Sequence, residues 1–437
     1  MLSKAWPCEV QQNREVIGKL KKNVLIIGAG AVAHVAAHKC AMHNDVLGDI
    51  CIASRTQIKC DEIIESVKRK NSMKDKSKKL YSRAIDALDI PAVVELIKET
   101  QSEIVINLGQ AYVNMSVLEA CIQAKVAYMD TAIHEEPDKV CENPPWYANY
   151  EWKKAQACEQ AGVTAILGVG FDPGVVNAWC ALAQKEYFDK IDTIDILDVN
   201  AGSHGKYFAT NFDPEINIRE FKKVWTWENR SWVQQKVHSI RVDYDFPVVG
   251  VCPVYLNGHD EIHSLSKNID AESIRFWMGF GDHYLNVFSV LSNIGMTSEK
   301  PVFVGDTEVV PLKMLKALLP DPASLAPNYT GKTCIGNYIK GTKDGKERSI
   351  FIFNSCDHKE CYNEVESQAI SYTAGVPPVA AAILIANGTW DVKHMVNVEE
   401  LDARPFIALL DNMGLPTEII DNPVPFVSPK FEHLPDL

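Results

Sequence analysis

Short apolar runs alternate with amphipathic stretches through the first third of the chain. Val24–Ile27, Ile50–Ala53, Ile104–Asn107 and Ala127–Met129 have the length of strands, and Val32–Met42, Ile58–Lys70 and Val117–Ala124 carry apolar residues at helical spacing. Apolar runs without polar alternation, joined by helices, are what strands covered on both faces require. The pattern predicts an α/β fold, a Rossmann-type doubly wound parallel sheet. A further run, Thr164–Leu167, leads into a helix expected over Val175–Lys185, with Asp172 as its N-cap and Pro173 at its first position.

The pattern changes after Ile191. Alternating runs such as Ile194–Val199 and Ser349–Phe353 predict half-buried strands, and Thr342–Glu347 reads as a hairpin tip. A second, mixed α/β domain is therefore expected over residues 176–367. The apolar helix Tyr372–Gly388 is expected to bring 368–437 back to complete the first domain, residues 1–175.

The first strand runs into Gly28-Ala-Gly30-Ala31-Val32-Ala33, a Gly-x-Gly-x-x-Ala turn that opens a helix. Gly28 permits the tight turn, Gly30 lets the backbone approach a pyrophosphate, and the helix N-terminus faces the phosphates. The second strand ends in Ser54-Arg55-Thr56, where an NAD site usually places a carboxylate for the ribose hydroxyls. A cation with two hydroxyls suits the 2′-phosphate of NADP(H). In a doubly wound sheet the ligand lies beyond the carboxyl ends of the strands, so Asn107-Leu108-Gly109-Gln110, Asp130-Thr131 and Gly170-Phe171-Asp172 are expected along the cofactor. Asp130 reads equally as a structural turn residue, and Asp172 reads as a helix cap or as a catalytic group.

The 437 residues carry a net charge of −13, which argues against nucleic acid and against anionic membranes as partners. Twelve cysteines without paired spacing read as reduced thiols, no apolar run is expected to span a bilayer, and no targeting pattern is read, so a cytoplasmic protein is expected. Cys356-Asp357-His358-Lys359-Glu360-Cys361 is the nearest approach to a metal site and reads better as a surface turn; no metal is expected. No nucleophilic Ser-His-Asp or Cys-His order stands out. The polar loop from Asn200 to Asn211, which includes His204 and Lys206, follows an apolar strand and reads as a substrate-closing segment or as a plain loop.

Val24 to Gly30, Ile106 to Tyr112, Tyr128 to Ala132, Gly168 to Gly174 and Thr373 to Ala381 together resemble the saccharopine dehydrogenase-like family over nearly the whole chain. Gly202-Ser-His-Gly205, Phe208 to Phe212, Ile218-Arg-Glu220, Tyr244 to Pro247 and His259-Asp-Glu261 are similar to its carboxynorspermidine-forming branch. The resemblance implies NADPH-dependent reductive condensation of L-aspartate β-semialdehyde with a short diamine, 1,3-diaminopropane or putrescine, by a homodimer assembled through the second domain. It makes Gln110, Lys206, Asn211 and Arg219 candidate substrate ligands and His204 with Asp172 candidate catalytic residues. Saccharopine-forming relatives read Lys-Phe-Ser-Trp-Ser-Pro where this chain reads Lys206 to Pro214, which sets a lysine-derived substrate in question. A saccharopine or other opine-type dehydrogenase and a non-catalytic NADPH-sensing protein remain the alternatives.

Overall fold

Seven parallel strands form the first sheet, in the order Met395–Asn397, Ala165–Leu167, Ala127–Asp130, Ser102–Asn107, Lys22–Ile27, Leu47–Ser54, Leu80–Ala84. The computed structural model describes residues 3–4, 21–136, 150–219, 224–236 and 238–428. From the central strand the chain first builds outward through Leu47–Ser54 and Leu80–Ala84, then crosses back to Ser102–Asn107. The reversal opens a crevice between the strand ends at Gly28 and Leu108. All four strand runs read from the sequence in this region form strands of this sheet, and apart from half-buried Ala127 their apolar residues are buried.

The second sheet has ten strands. Its main path runs Ser3–Lys4, Glu418–Asp421, Lys346–Asp357, Lys332–Lys343, Lys190–Asn200, Ala271–Gly279, Gly250–Asn257, Arg241–Phe246, and the hairpin Val224–Glu228/Ser231–Gln235 joins Ala271–Gly279. Only Lys190–Asn200 and Ala271–Gly279 pair in parallel. The expected hairpin tip is present: Lys343 faces Lys346 across Asp344 and Gly345, both at positive φ, the backbone that a tight two-residue hairpin needs.

One face of this sheet, with Ile194, Ile196 and Phe276, packs on helices Val175–Leu182 and Ala369–Ala386. The same core continues into Val24, Ile26, Ile104 and Ile106, so the two sheets share one helical layer. Leu197, Val199, Trp277 and Tyr338 face a separate cluster on the other side. The chain beyond residue 368 divides between the sheets: Met395–Asn397 extends the parallel one, whereas Glu418–Asp421 pairs with Lys346–Asp357 in the mixed one. Its short alternating run finds an open edge there. Ala369–Ala386 is long and apolar enough by composition to cross a membrane, contrary to the sequence reading, yet 89% of it is buried within the fold.

The shared layer is tight. A Cβ on Gly375 would lie 2.7 Å from Val35 Cβ and 2.8 Å from Val32 O, in the opening turns of helix Ala31–Met42. Gly375→Ala is expected to lower stability by about 1–3 kcal/mol through overpacking and, by shifting that helix, to weaken dinucleotide binding. Thermal melting and a fluorescence titration would check both, and an unchanged melting temperature would contradict the close contact.

Candidate functional site

At the central strand end, Gly28 has φ +117° and a Cβ there would stand 2.4 Å from Leu108 O, so no side chain fits. Gly30 precedes helix Ala31–Met42, whose first turn has neither a side-chain cap nor an acidic residue. A Cβ at Gly30 would meet nothing within 4 Å. Ala31 and Val32 are half-buried beside this space. Uncapped N–H groups facing open space with no competing carboxylate fit a pyrophosphate. At the next strand end Ser54 Oγ donates to Thr56 O at 3.1 Å and accepts from Thr56 N at 3.2 Å, closing a turn that presents exposed Arg55. That turn fits a ribose phosphate and offers no carboxylate to repel it.

The other loops are built more from backbone than from side chains. Asn107 is buried, donating to Asn114 Oδ1 at 2.8 Å and accepting from Gly109 N at 3.2 Å. Leu108 N bonds Ile27 O at 2.7 Å, and a Cβ on Gly109 would press on Val113 Cγ2 at 2.8 Å. Asp130 is a strut: Gly168 N and the Tyr128 hydroxyl reach its two carboxylate oxygens at 2.7 and 2.8 Å, and its carbonyl accepts from Val169 N. Burial holds its carboxyl well above the usual range. The Asp130 side chain is thus engaged within the fold, as its structural reading has it, and the backbone of Asp130 and Thr131 is what the expected cofactor path would use. Gly170 lies against Thr131, where a Cβ would meet Thr131 O at 3.2 Å. Phe171 is 2% exposed and packs edge-on against Trp179, so its ring belongs to the core and only its backbone borders the cleft.

Asp172 does not cap the following helix. The N-cap is Gly174, and Asn177 Oδ1 accepts from Gly174 N at 2.9 Å, so a side chain inside the first turn has taken the capping role. Asp172 is instead half-buried at the cleft. Burial, with Asp198 and Glu261 nearby, pushes its carboxyl far up, and His259 opposes them. Asp198 lies near the end of strand Lys190–Asn200, and burial raises it to about 7, His259 again opposing and Glu261 adding. Asp260 accepts from Ile133 N at 3.1 Å, joining the turn after Gly250–Asn257 to the loop after Ala127–Asp130; burial raises it to about 7 as well. His259 Nδ1 is 2.5 Å from Glu261 Oε2, and its ring stacks on Phe276 at 4.1 Å. Four carboxylates and one imidazole thus meet where both sheets end.

Two residues along the strand, about 6.6 Å away by strand rise, Asn200 begins a second network. Its side chain holds His358 Nε2 at 2.9 Å and the Tyr329 hydroxyl at 2.6 Å, and Tyr329 donates to Asn211 Oδ1 at 2.6 Å. Tyr329 and His358 stack at 3.7 Å; burial lowers the histidine to about 4 and raises the tyrosine to about 12. The segment from Cys356 to Cys361 is therefore not a surface turn: Asp357 caps helix His358–Val365, and Cys356, His358 and Cys361 are buried. His204 meets Tyr329 edge-on and accepts from Lys206 N at 3.1 Å; burial and Lys206 lower it. Lys206 is exposed.

Gln110 donates to Asp213 Oδ2 at 3.0 Å, and Lys316 bridges Asp213 and Glu215 at 2.8 and 3.3 Å. Gln110 therefore ties a loop of the parallel sheet to the second domain. Arg219 ends helix Pro214–Arg219, and its side chain lies outside the described residues. The sequence reading assigned no role to Asp198, His259, Asp260, Glu261, Tyr329 or His358. The signals were His259-Asp-Glu261 as part of the family resemblance and the segment from Cys356 to Cys361, neither of which carried a role for these side chains.

A carboxyl raised in the folded state binds its proton more readily there than when unfolded. Its contribution is complete below the unfolded value near 4 and is lost as pH rises toward 7. Asp198→Asn should therefore melt higher than the unchanged protein at pH 8, without ligands, and show a smaller gain at pH 5. Equal shifts at both pH values would contradict the burial of an ionisable Asp198.

Residues 24–166 match the saccharopine dehydrogenase NADP-binding domain and residues 170–415 the saccharopine dehydrogenase C-terminal domain. The chain is 52% identical over 394 residues to carboxynorspermidine synthase of Vibrio alginolyticus, covering 90% of this chain and 95% of that one. It is 43% identical over 406 residues to carboxyaminopropylagmatine dehydrogenase of Synechocystis, covering 92% and 99%. The fold is similar to that of saccharopine dehydrogenase (L-Glu forming) from Saccharomyces cerevisiae, with a TM-score of 0.68 at 13% identity over 92% of this chain and 99% of that one. The cofactor is NADP(H), and the chain belongs to the saccharopine dehydrogenase family.

Proposed function

We propose that this chain is an NADP-dependent oxidoreductase that condenses L-aspartate β-semialdehyde with a short diamine, 1,3-diaminopropane or putrescine, and reduces the imine to carboxynorspermidine or carboxyspermidine in polyamine biosynthesis. The observation that carries the reading is the pairing of a phosphate-binding end, Gly28 to Val32 with Arg55, with an acidic wall of Asp172, Asp198 and Asp260 at the other end of the same cleft. The relatives named for carboxynorspermidine and carboxyaminopropylagmatine support it.

When bound, NADPH supplies hydride to the carbon of the C=N bond. The protein's residues hold the two substrates and manage protons. An unreacted ammonium suits the acidic wall, because a buried carboxylate without a partner is costly and a cation relieves it. The amino-acid end carries a carboxylate, for which Lys206 and Arg219 supply charge. Asn211 and Gln110 act through the walls they hold, in bonds to Tyr329 and Asp213. The ten described cysteines are all free, which supports a reducing, cytoplasmic setting.

A homodimer formed through the second domain is part of the same reading. Val290, Ile294, Phe303, Val304 and Leu318 are all more than half exposed within residues 282–318. An apolar surface of this kind is characteristic of an interface. Solution mass measurement tests it, a monomer at micromolar concentration being the contrary result.

The central experiment is loss of NADPH absorbance on mixing enzyme, semialdehyde and diamine, against each substrate alone. 1,3-Diaminopropane is expected to react at least about tenfold faster than propylamine, since the monoamine leaves a buried carboxylate unpaired, a loss of order 1–3 kcal/mol. Similar rates would remove the ammonium site, and turnover only with another carbonyl and amine would favour an opine-type reaction. Arg55→Asp should weaken NADPH binding at least about tenfold and narrow the preference over NADH. Equal use of both cofactors by the unmodified enzyme would contradict the role of Arg55.

A further inference from the structure

The turn after strand Gly250–Asn257 has more in it than an acidic wall. Asn257 lies in register with Phe276, and residues opposite one another in an antiparallel pair share a face. The Phe276 ring carries the His259 ring at 4.1 Å, with 17° between their planes. Asn257, His259 and Phe276 therefore occupy one side of the sheet, the side on which Ile196 and Asp198 also lie. Glu261 is fully buried, with one carboxylate oxygen on His259 Nδ1. Its other oxygen, Oε1, has no hydrogen-bond partner among the described residues. Both side-chain amide atoms of Asn257, wholly buried, also lack one. A buried polar atom left unpaired costs about 1–3 kcal/mol, and the amide on the same sheet side as His259 and the carboxylate oxygen on its partner Glu261 are unpaired groups that a polar ligand would complete.

We propose that His259, aligned by Glu261, carries the proton of the condensation step, with Asn257 completing the pocket for the amine. This rests on the reductive condensation proposed above. A carboxylate only accepts, so Glu261 fixes the proton of His259 on Nδ1 and leaves the lone pair on Nε2. Nε2 takes a proton from the reacting ammonium. The freed amine nitrogen then forms a bond to the aldehyde carbon, and proton transfer from nitrogen to the resulting alkoxide gives the neutral carbinolamine. The imidazolium returns its proton to the hydroxyl, the C–O bond breaks, and water leaves. An ammonium and an aldehyde become an iminium and water, with charge conserved and no oxidant or reductant consumed. Among the described residues, the charged groups shown to act on the imidazole are Glu261 and Asp260 from its own turn, Asp198 from strand Lys190–Asn200 and Asp172 from the loop before helix Val175–Leu182. These four are acidic and favour the transient imidazolium. Among the described residues His204 has no such support: its Nδ1 accepts from a backbone N–H and its ring meets the edge of Tyr329.

The test compares His259→Gln and Glu261→Gln with the unmodified enzyme, using semialdehyde, 1,3-diaminopropane and NADPH. His259→Gln should lower kcat at pH 7.5 at least about 100-fold, within the range for a lost general acid–base, while NADPH binding by fluorescence changes less than threefold. Its remaining rate should climb close to tenfold per pH unit from 7 to 9, following the free amine of an alkylammonium that titrates near 10, whereas the unmodified rate is much flatter. Glu261→Gln should keep the fold and move the acid-side fall in kcat to lower pH, because a neutral amide no longer favours the imidazolium. His259→Ala is a second route to the amine-dependent slope should His259→Gln melt early. A His259→Gln rate within threefold of normal, a pH slope parallel to the unmodified enzyme, or an unmoved acid limb in Glu261→Gln would each overturn the assignment. No NADPH loss with the unmodified enzyme would instead overturn the condensation itself, so the two failures are distinct.

Discussion

Four carboxylates gathered around one imidazole, out of bulk water, are the constraint that organises this molecule. Asp172, Asp198, Asp260 and Glu261 come from three separate parts of the chain and are brought together where the two sheets end. Like charges in a poorly solvated place repel, and burial alone favours their neutral forms. A fold holds such a group only if the elements that carry it cannot move apart.

That rigidity comes from the layer between the sheets. Helices Ala31–Met42, Val175–Leu182 and Ala369–Ala386 belong to one continuous core with strands of both sheets, so the phosphate end and the acidic end share a frame. Polar ties reinforce it. Asn177 caps its own helix through Oδ1 and reaches Ser264 and Glu399 through its amide nitrogen, and Gln110 joins the Asp213–Lys316 pair across the cleft. Lys39, 2% exposed, donates to the Tyr372 hydroxyl at 2.7 Å and to Met413 O at 2.8 Å, fastening the cofactor helix to the returning chain. Positioning to within a fraction of an ångström is what a reaction between two bound substrates and a hydride donor demands.

The dinucleotide end was legible because its determinants are local. Gly28, Gly30 and Ser54 to Thr56 act through backbone shape within a few residues, and periodicity places the strands that carry them. The acidic end was not legible in that way. Asp172 reads as a cap because an Asp-Pro pair before a helix usually is one, yet Asn177 reaches back to Gly174 from inside the helix, and only the turn's three-dimensional path shows this. Phe171 reads as a loop residue and lies against Trp179 in the core. His259 was noticed only as part of a motif and given no role, because its surroundings depend on Phe276 and Asp198, which are brought to it by strand pairing and not by sequence spacing. Glu418–Asp421 was expected with the first domain for a similar reason, since a short alternating run does not state which open edge it will join.

Asp172 and His259 lie together. A sequence whose local preferences agree with its fold is easy to read, and conflicts persist where the folded state needs something other than stability. At Asp172 the conflict is an acid withheld from the helix end it would stabilise; at Asn257 and Glu261 it is polar atoms buried without partners among the described residues. Each is unfavourable in the protein alone, and under the proposed condensation an ammonium and a carbonyl would relieve it. On that proposal, the same physical terms that make the cleft a weak point in the fold suit it to a cation, and the shared helical core is what allows the protein to keep both.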